Sequence, residues 1–205
     1  MGAIAGWRAA WDELALDPPD GLLDRLIAAY GEPARAYHTM QHLDECFGHL
    51  ASVRDCLDEP AAVGLALWFL DAVYDPTRRD NEAASAAWAA SALGAGGVAA
   101  ATVAAVRALI LLTAEHAPPP TPDGRHLVDI DLAILGADPD RFDEYERQVG
   151  REYAWVDAEA FRRGRAAILA GFVARPRLYL TDHFHNRFEG RARANLARSL
   201  ADLGG

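Results

Sequence analysis

Residues 61–74 run AAVGLALWFLDAVY, apolar on nearly every side of a helix and interrupted by a single charge, Asp71. A helix without a polar face has to be enclosed by other elements. The unbroken part, residues 61–70, is too short to cross a bilayer, which takes about 20 apolar residues. The segment is therefore the centre of a hydrophobic core, with Pro60 suited to its first turn.

The rest of the chain supplies the enclosure. Ile4, Trp7, Trp11 and Leu14 recur at helical spacing before Asp17-Pro18-Pro19, and Leu22, Leu23, Leu26, Ile27 and Tyr30 repeat the pattern before Gly31 and Pro33. Met40, Leu43, Phe47, Leu50 and Val53 form a third stripe on a helix expected to carry His38 and His42. Beyond the Asp75-Pro76-Thr77 break, residues 81–93 predict an alanine-rich helix closed by Gly94, Gly96 and Gly97, and residues 98–116 another, stopped by Pro118-Pro119-Pro120. Residues 127–136 are short and apolar and fit strand or helix locally; the helical context favours helix. Phe142, Tyr145 and Val149 after Pro139, then Phe161, Ile168, Leu169 and Phe172 after the acidic start Asp157/Glu159, then Phe188, Ala192, Leu196 and Leu200, complete the series. No alternating strands, repeat or low-complexity linker appears, so the expectation is an all-α, bundle-like single domain over residues 1–205.

The 205 residues are 51% apolar, ample for one core. With 30 acidic against 20 basic residues the charge is −10, which repels a nucleic-acid backbone, so polymeric nucleic acid is not an expected partner. Local arginines still allow a small phosphate ester. Cys46 and Cys56 are too few for a disulfide framework or a multi-cysteine zinc site. The opening MGAIAGWRAAWDEL does not read as a signal peptide, and a cytoplasmic setting without membrane association is the expectation.

Asp71 is the informative anomaly. An ionised carboxylate among apolar residues costs several kcal/mol unless paired, so it implies a partner. A metal, a salt bridge to an arginine such as Arg107, and a cap on a neighbouring helix end are equally good readings of Asp71 alone. Asp129 and Asp131 interrupt a second apolar run. On a helix they point about 200° apart, so at most one faces the site of Asp71, and Asp131 is the better candidate. His38 and His42 are four apart and would share a helical face. His116, at the end of a long helix, has the helix dipole as its plain explanation.

In order, Tyr37-His38-Thr39-Met40-Gln41-His42, the stretch from Trp68 to Asp75, Asp80-Asn81-Glu82-Ala83-Ala84-Ser85, Thr113-Ala114-Glu115-His116, Asp129-Ile130-Asp131-Leu132-Ala133-Ile134-Leu135-Gly136, Arg151-Glu152-Tyr153, Arg175-Pro176-Arg177-Leu178-Tyr179 and Ala194-Asn195-Leu196 resemble the HD-domain superfamily of metal-dependent phosphohydrolases. The resemblance implies a helical fold in which a histidine, a His-Asp pair and a distant aspartate bind a divalent metal (Mn, Mg, Zn, Ni or Fe). By position these are His38, residues 70–71 and Asp131, with His42 as a helper. Here the pair is Leu70-Asp71, and an isobutyl group cannot ligate a metal.

Three readings follow. In the first, the remaining ligands hold a metal that activates water against a small phosphate ester or nucleotide. Asp71 and His116 are then catalytic, Arg78, Arg79 and Arg177 contact phosphate, and Asn81 and Glu82 lie on the substrate side, helix-start capping being the alternative for both. In the second, the metal is lost through Leu70, and the protein binds a ligand or performs metal-free acid/base chemistry through Asp71, His38 and His116. The third, a two-iron oxygenase using His116 and His126, ranks last. A structural role would show as a large exposed apolar patch. Monomer and homodimer are both compatible with the sequence.

Overall fold

The computed structural model describes residues 1–114 and 119–204, and every regular element in them is helical. The helices are α1 (Ala3–Leu14), α2 (Leu22–Tyr30), α3 (Met40–Val53), α4 (Pro60–Phe69), α5 (Asn81–Ala95), α6 (Ala100–Leu112), α7 (Pro122–Asp131), α8 (Pro139–Glu152), α9 (Ala158–Val173) and α10 (Asp182–Gly204). Single 3-10 turns occupy Arg54–Cys56 and Leu132–Gly136. Among the described residues, no helix is long and apolar enough to cross a membrane. The chain divides into two compact units, Met1–Val128 and Asp129–Gly205, the division falling within α7.

In the first unit α4 is the hub. Every residue from Ala61 to Phe69 is buried, and the helix packs against α1, α3, α5 and α6, while α5 and α6 pack on each other. Trp68 collects the aromatic stripes of its neighbours, with ring centroids 5.5 Å from Trp7, 6.3 Å from Tyr30 and 6.2 Å from Phe47. Each such side chain contributes on the order of 1.5–3 kcal/mol when removed from water. The polar ends are tied down as well: Trp68 Nε1 donates to Ala3 O at 3.3 Å, and Tyr30 Oη donates to Trp68 O at 3.1 Å. The Asp123 carboxylate accepts the backbone N–H groups of Asp58 and Glu59, both at 2.8 Å, just ahead of α4. Gly6 lets α1 meet α3, because a Cβ there would come within 2.1 Å of the Phe47 ring.

Two of the expected boundaries that move matter for the site. The helix predicted over residues 61–74 ends at Phe69, and residues 71–75 form a turn. The backbone groups that would continue it are taken by side chains: Arg35 donates to the carbonyls of Asp71 and Ala72, Ser85 Oγ accepts from Val73 N, and Asn81 Oδ1 accepts from Asp75 N. Pro76, without an N–H, then forbids resumption. The third helix begins at Met40, with the Thr39 hydroxyl capping Gln41 N at 3.3 Å, so His38 lies in the approach to α3 and not on it.

In the second unit, residues 178–181 are held by two acids. Asp129 accepts Leu180 N, Thr181 N and Thr181 Oγ1, each at 2.7 Å. Glu189 accepts Leu178 N at 3.0 Å and Tyr179 N at 3.2 Å. Tyr179 Oη donates to Leu132 O, and Asn195 Nδ2 donates to Leu135 O and Ala137 O at 3.0 Å each. Gly136 is required by close approach, since a Cβ there would lie 2.6 Å from Phe188 Cβ. Asp157 caps α9 through Glu159 N and Ala160 N. Residues 127–136 are helical, first α and then 3-10.

Candidate functional site

Of the sequence-selected residues of the first unit, His38, His42 and Asp71 come together where the approach to α3 meets the turn after α4. His42, on the first turns of α3, is buried, and its Nε2 faces Asp71 Oδ2 at 3.7 Å. Its Nδ1 lies 3.0 Å from the Tyr37 hydroxyl. One helical turn on, Cys46 Sγ is 3.7 Å from His42 Nδ1 and 3.8 Å from Nε2. The His42 imidazole therefore has a thiol and a carboxylate as separate neighbours.

The expectation that His38 and His42 present parallel rings from one helical face is corrected. Their centroids are 6.1 Å apart and the planes nearly perpendicular, because Thr39 starts the helix after His38. His38 is half-buried and stacks on Tyr74 at 4.0 Å, with Tyr37 edge-on at 4.9 Å. Asp71 is corrected too: it belongs to the turn beyond α4 and its side chain is 19% exposed, so it reaches the edge of the core and not its centre. Of its alternative partners, Arg107 is exposed on α6, whereas the His42 ring lies beside its carboxylate.

Arg35, which sequence reasoning did not select, organises this region. Its buried guanidinium donates to Asp71 O at 2.6 Å, Ala72 O at 3.1 Å, His38 O at 3.3 Å and Glu32 Oε2 at 3.1 Å. It also lies over the rings of Tyr30 and Tyr74, 5.3 and 5.5 Å from their centroids. One cation thus ties the His38 segment to the Asp71 turn through their carbonyls, a geometry that needs Arg's planar fork. Burial, then the nearby Asp71 charge, pushes the Tyr30 phenol well above its ordinary value, so it remains a donor. Leu70, where the resemblance calls for histidine, is buried and offers no ligand atom.

The expected phosphate contacts are differently employed. Arg78 closes its fork on Asp80, with Nε–Oδ1 and Nη2–Oδ2 both 2.8 Å, and this bond raises the guanidinium pKa. Arg79 is exposed. Arg177, in the second unit, donates to Tyr179 O at 2.6 Å and to Asp182 Oδ1 at 2.7 Å. Asn81 brackets Asp75 through both its N–H and its C=O, which makes it a clamp on the turn carrying Asp71, and Glu82 is a half-buried first-turn acid of α5. His116 lies outside the described residues.

Asp129 and Asp131 also separate. Asp129 is fully buried and spent on backbone N–H groups ahead of α10, while Asp131 is half-buried as the last residue of α7. Much of the apolar motif around them is accounted for by packing within the second unit, where Tyr179 and Asn195 bind its carbonyls.

Within the first unit, the His42 imidazole has the Cys46 thiol and the Asp71 carboxylate each within 4 Å. Nitrogen, oxygen and sulfur together fit a borderline-soft divalent ion such as zinc, cobalt, nickel or iron better than magnesium, which prefers oxygen alone. The Tyr37 hydroxyl beside Nδ1 is the kind of partner that orients a metal-binding imidazole through its other nitrogen. In comparisons with known proteins, no family model, curated protein or solved structure matches the chain.

Proposed function

We propose that this protein is a metal-dependent hydrolase of a small phosphate ester or nucleotide, with its centre at His42 and Asp71. The observation that carries the reading is the 3.7 Å approach of His42 Nε2 to Asp71 Oδ2, beside Tyr37, His38 and Cys46. That separation exceeds a direct N–H···O hydrogen bond and suits two atoms that share a cation.

A bound divalent ion would lower the pKa of a water and polarise the phosphoryl oxygen. In the hydrolysis, the water oxygen bonds to phosphorus, the ester P–O bond breaks, and the alcohol leaves with a proton. Tyr37 fixes the His42 ring, Arg35 fixes the Asp71 backbone, and His38, stacked on Tyr74, hydrogen-bonds the ester.

The test is hydrolysis of a panel of nucleoside monophosphates and aryl phosphates by protein loaded with zinc, cobalt, nickel, iron, manganese or magnesium. Turnover that a chelator abolishes, that added metal restores and that His42→Ala removes is the expected result. Turnover indifferent to chelator contradicts it. A second reading, metal-free ligand binding, is favoured by Leu70, whose side chain gives the core an apolar surface where the resemblance calls for a ligand. On that reading the protein carries no ion as purified.

A further inference from the structure

We infer that Cys46 is a thiolate ligand of the ion, and that the centre is thereby selective for a zinc-class ion over magnesium. This rests on the metal reading above and deepens it.

Three observations carry it. Cys46 is four residues after His42 on α3, the spacing that puts two side chains on one helical face. Its Sγ lies 3.7 and 3.8 Å from the two nitrogens of the His42 ring, so a sulfur and a nitrogen donor from one helix stand side by side, and His42 Nε2 also lies 3.7 Å from Asp71 Oδ2. Cys46 is buried whereas Cys56 is exposed, which separates a thiol built into the core from one on the surface. Metal–sulfur and metal–nitrogen bonds of about 2.3 and 2.0–2.1 Å are compatible with ligand atoms at these separations. A soft donor from α3 sets the preference of the site, because thiolate favours zinc, cobalt and iron and is a poor ligand for magnesium. Binding releases the thiol proton to solvent as the sulfur–metal bond forms.

The experiment loads the full chain anaerobically with cobalt(II) and records its electronic spectrum for the parent, Cys56→Ser and Cys46→Ser, with a competing excess of magnesium. The expected result is a sulfur-to-cobalt charge-transfer band in the parent and in Cys56→Ser, unaffected by magnesium, that disappears in Cys46→Ser together with at least a tenfold loss of cobalt affinity. X-ray absorption of the zinc-loaded parent needs no variant and is expected to find a scatterer at about 2.3 Å, the zinc–sulfur distance. Cobalt bound with a spectrum of nitrogen and oxygen ligands only, or a band that survives in Cys46→Ser, overturns the thiolate assignment and leaves the metal reading standing. A parent that binds neither cobalt nor zinc overturns both.

Discussion

Replacing Asp129 and Asp131 in turn separates an aspartate that holds the fold from one that the sequence resemblance names as a metal ligand. Its carboxylate is fully buried and accepts three hydrogen bonds of 2.7 Å, from Leu180 N, Thr181 N and Thr181 Oγ1. A hydrogen bond to a charged group contributes about 1.5–3 kcal/mol, and stripping the charge from a buried set costs about 3–5 kcal/mol because the bonds share one acceptor and do not add. Asp129→Ala is therefore expected to lose about 3–5 kcal/mol, and Asp129→Asn about 2–4 kcal/mol, since an amide keeps one acceptor but turns its NH2 toward donors. At about 2–4 °C per kcal/mol for a chain of this size, Asp129→Ala melts roughly 6–20 °C lower. Asp131 is half-buried at the C-terminal end of α7, where a negative charge is unfavourable to the helix dipole, so Asp131→Asn should stay within about 1 kcal/mol of the parent. Denaturant unfolding followed by circular dichroism measures all three. An Asp129→Ala protein within 1 kcal/mol of the parent, or an Asp131→Asn protein less stable than Asp129→Asn, refutes the division of roles.

Arg35→Lys keeps a positive charge but cannot bridge the carbonyls of His38, Asp71 and Ala72, and it should cost about 2–4 kcal/mol; calorimetry reads the stability, and a zinc titration should show weaker binding. Glu189, though largely buried, is held below its ordinary value of 4.5 by the N–H groups of Tyr179 and Leu178 and by Arg193. A depressed folded-state pKa gives stability that is complete above the ordinary value and lost as the pH falls through the folded one. Glu189→Gln should accordingly flatten the acid limb of the stability profile below about pH 4.5, as urea midpoints across pH 3–7 would show.

Much of the fold was legible because single physical constraints dominated it. The apolar run of α4 has no polar side to expose, and Trp7 and Trp11 recur one helical turn apart, so burial and partner follow from spacing alone. The end of α4 was not legible, because it is set by Arg35, Asn81 and Ser85, side chains remote in sequence that take its backbone groups. That displacement moved Asp71 out of the helix and made a core carboxylate into one at the core's edge. Thr39 did carry a signal, as a capping residue directly before an apolar helix, and it would have removed His38 from α3. Cys46 was open to the same four-residue argument as the histidines but was weighed only against disulfide and multi-cysteine zinc patterns. Helical geometry set Asp129 apart from Asp131, but burial fell to Asp129, whose partners lie some 50 residues away and leave no local pattern.

The most direct test of the central claim is the divalent-metal content of protein purified without chelator, by elemental analysis, with His42→Ala and Leu70→His alongside. The account predicts near-stoichiometric zinc-class metal in the parent, its loss in His42→Ala, and retention in Leu70→His. Metal-free parent protein that gains an ion only when Leu70→His supplies an imidazole would contradict it, and would place this chain with binding proteins or metal-free enzymes.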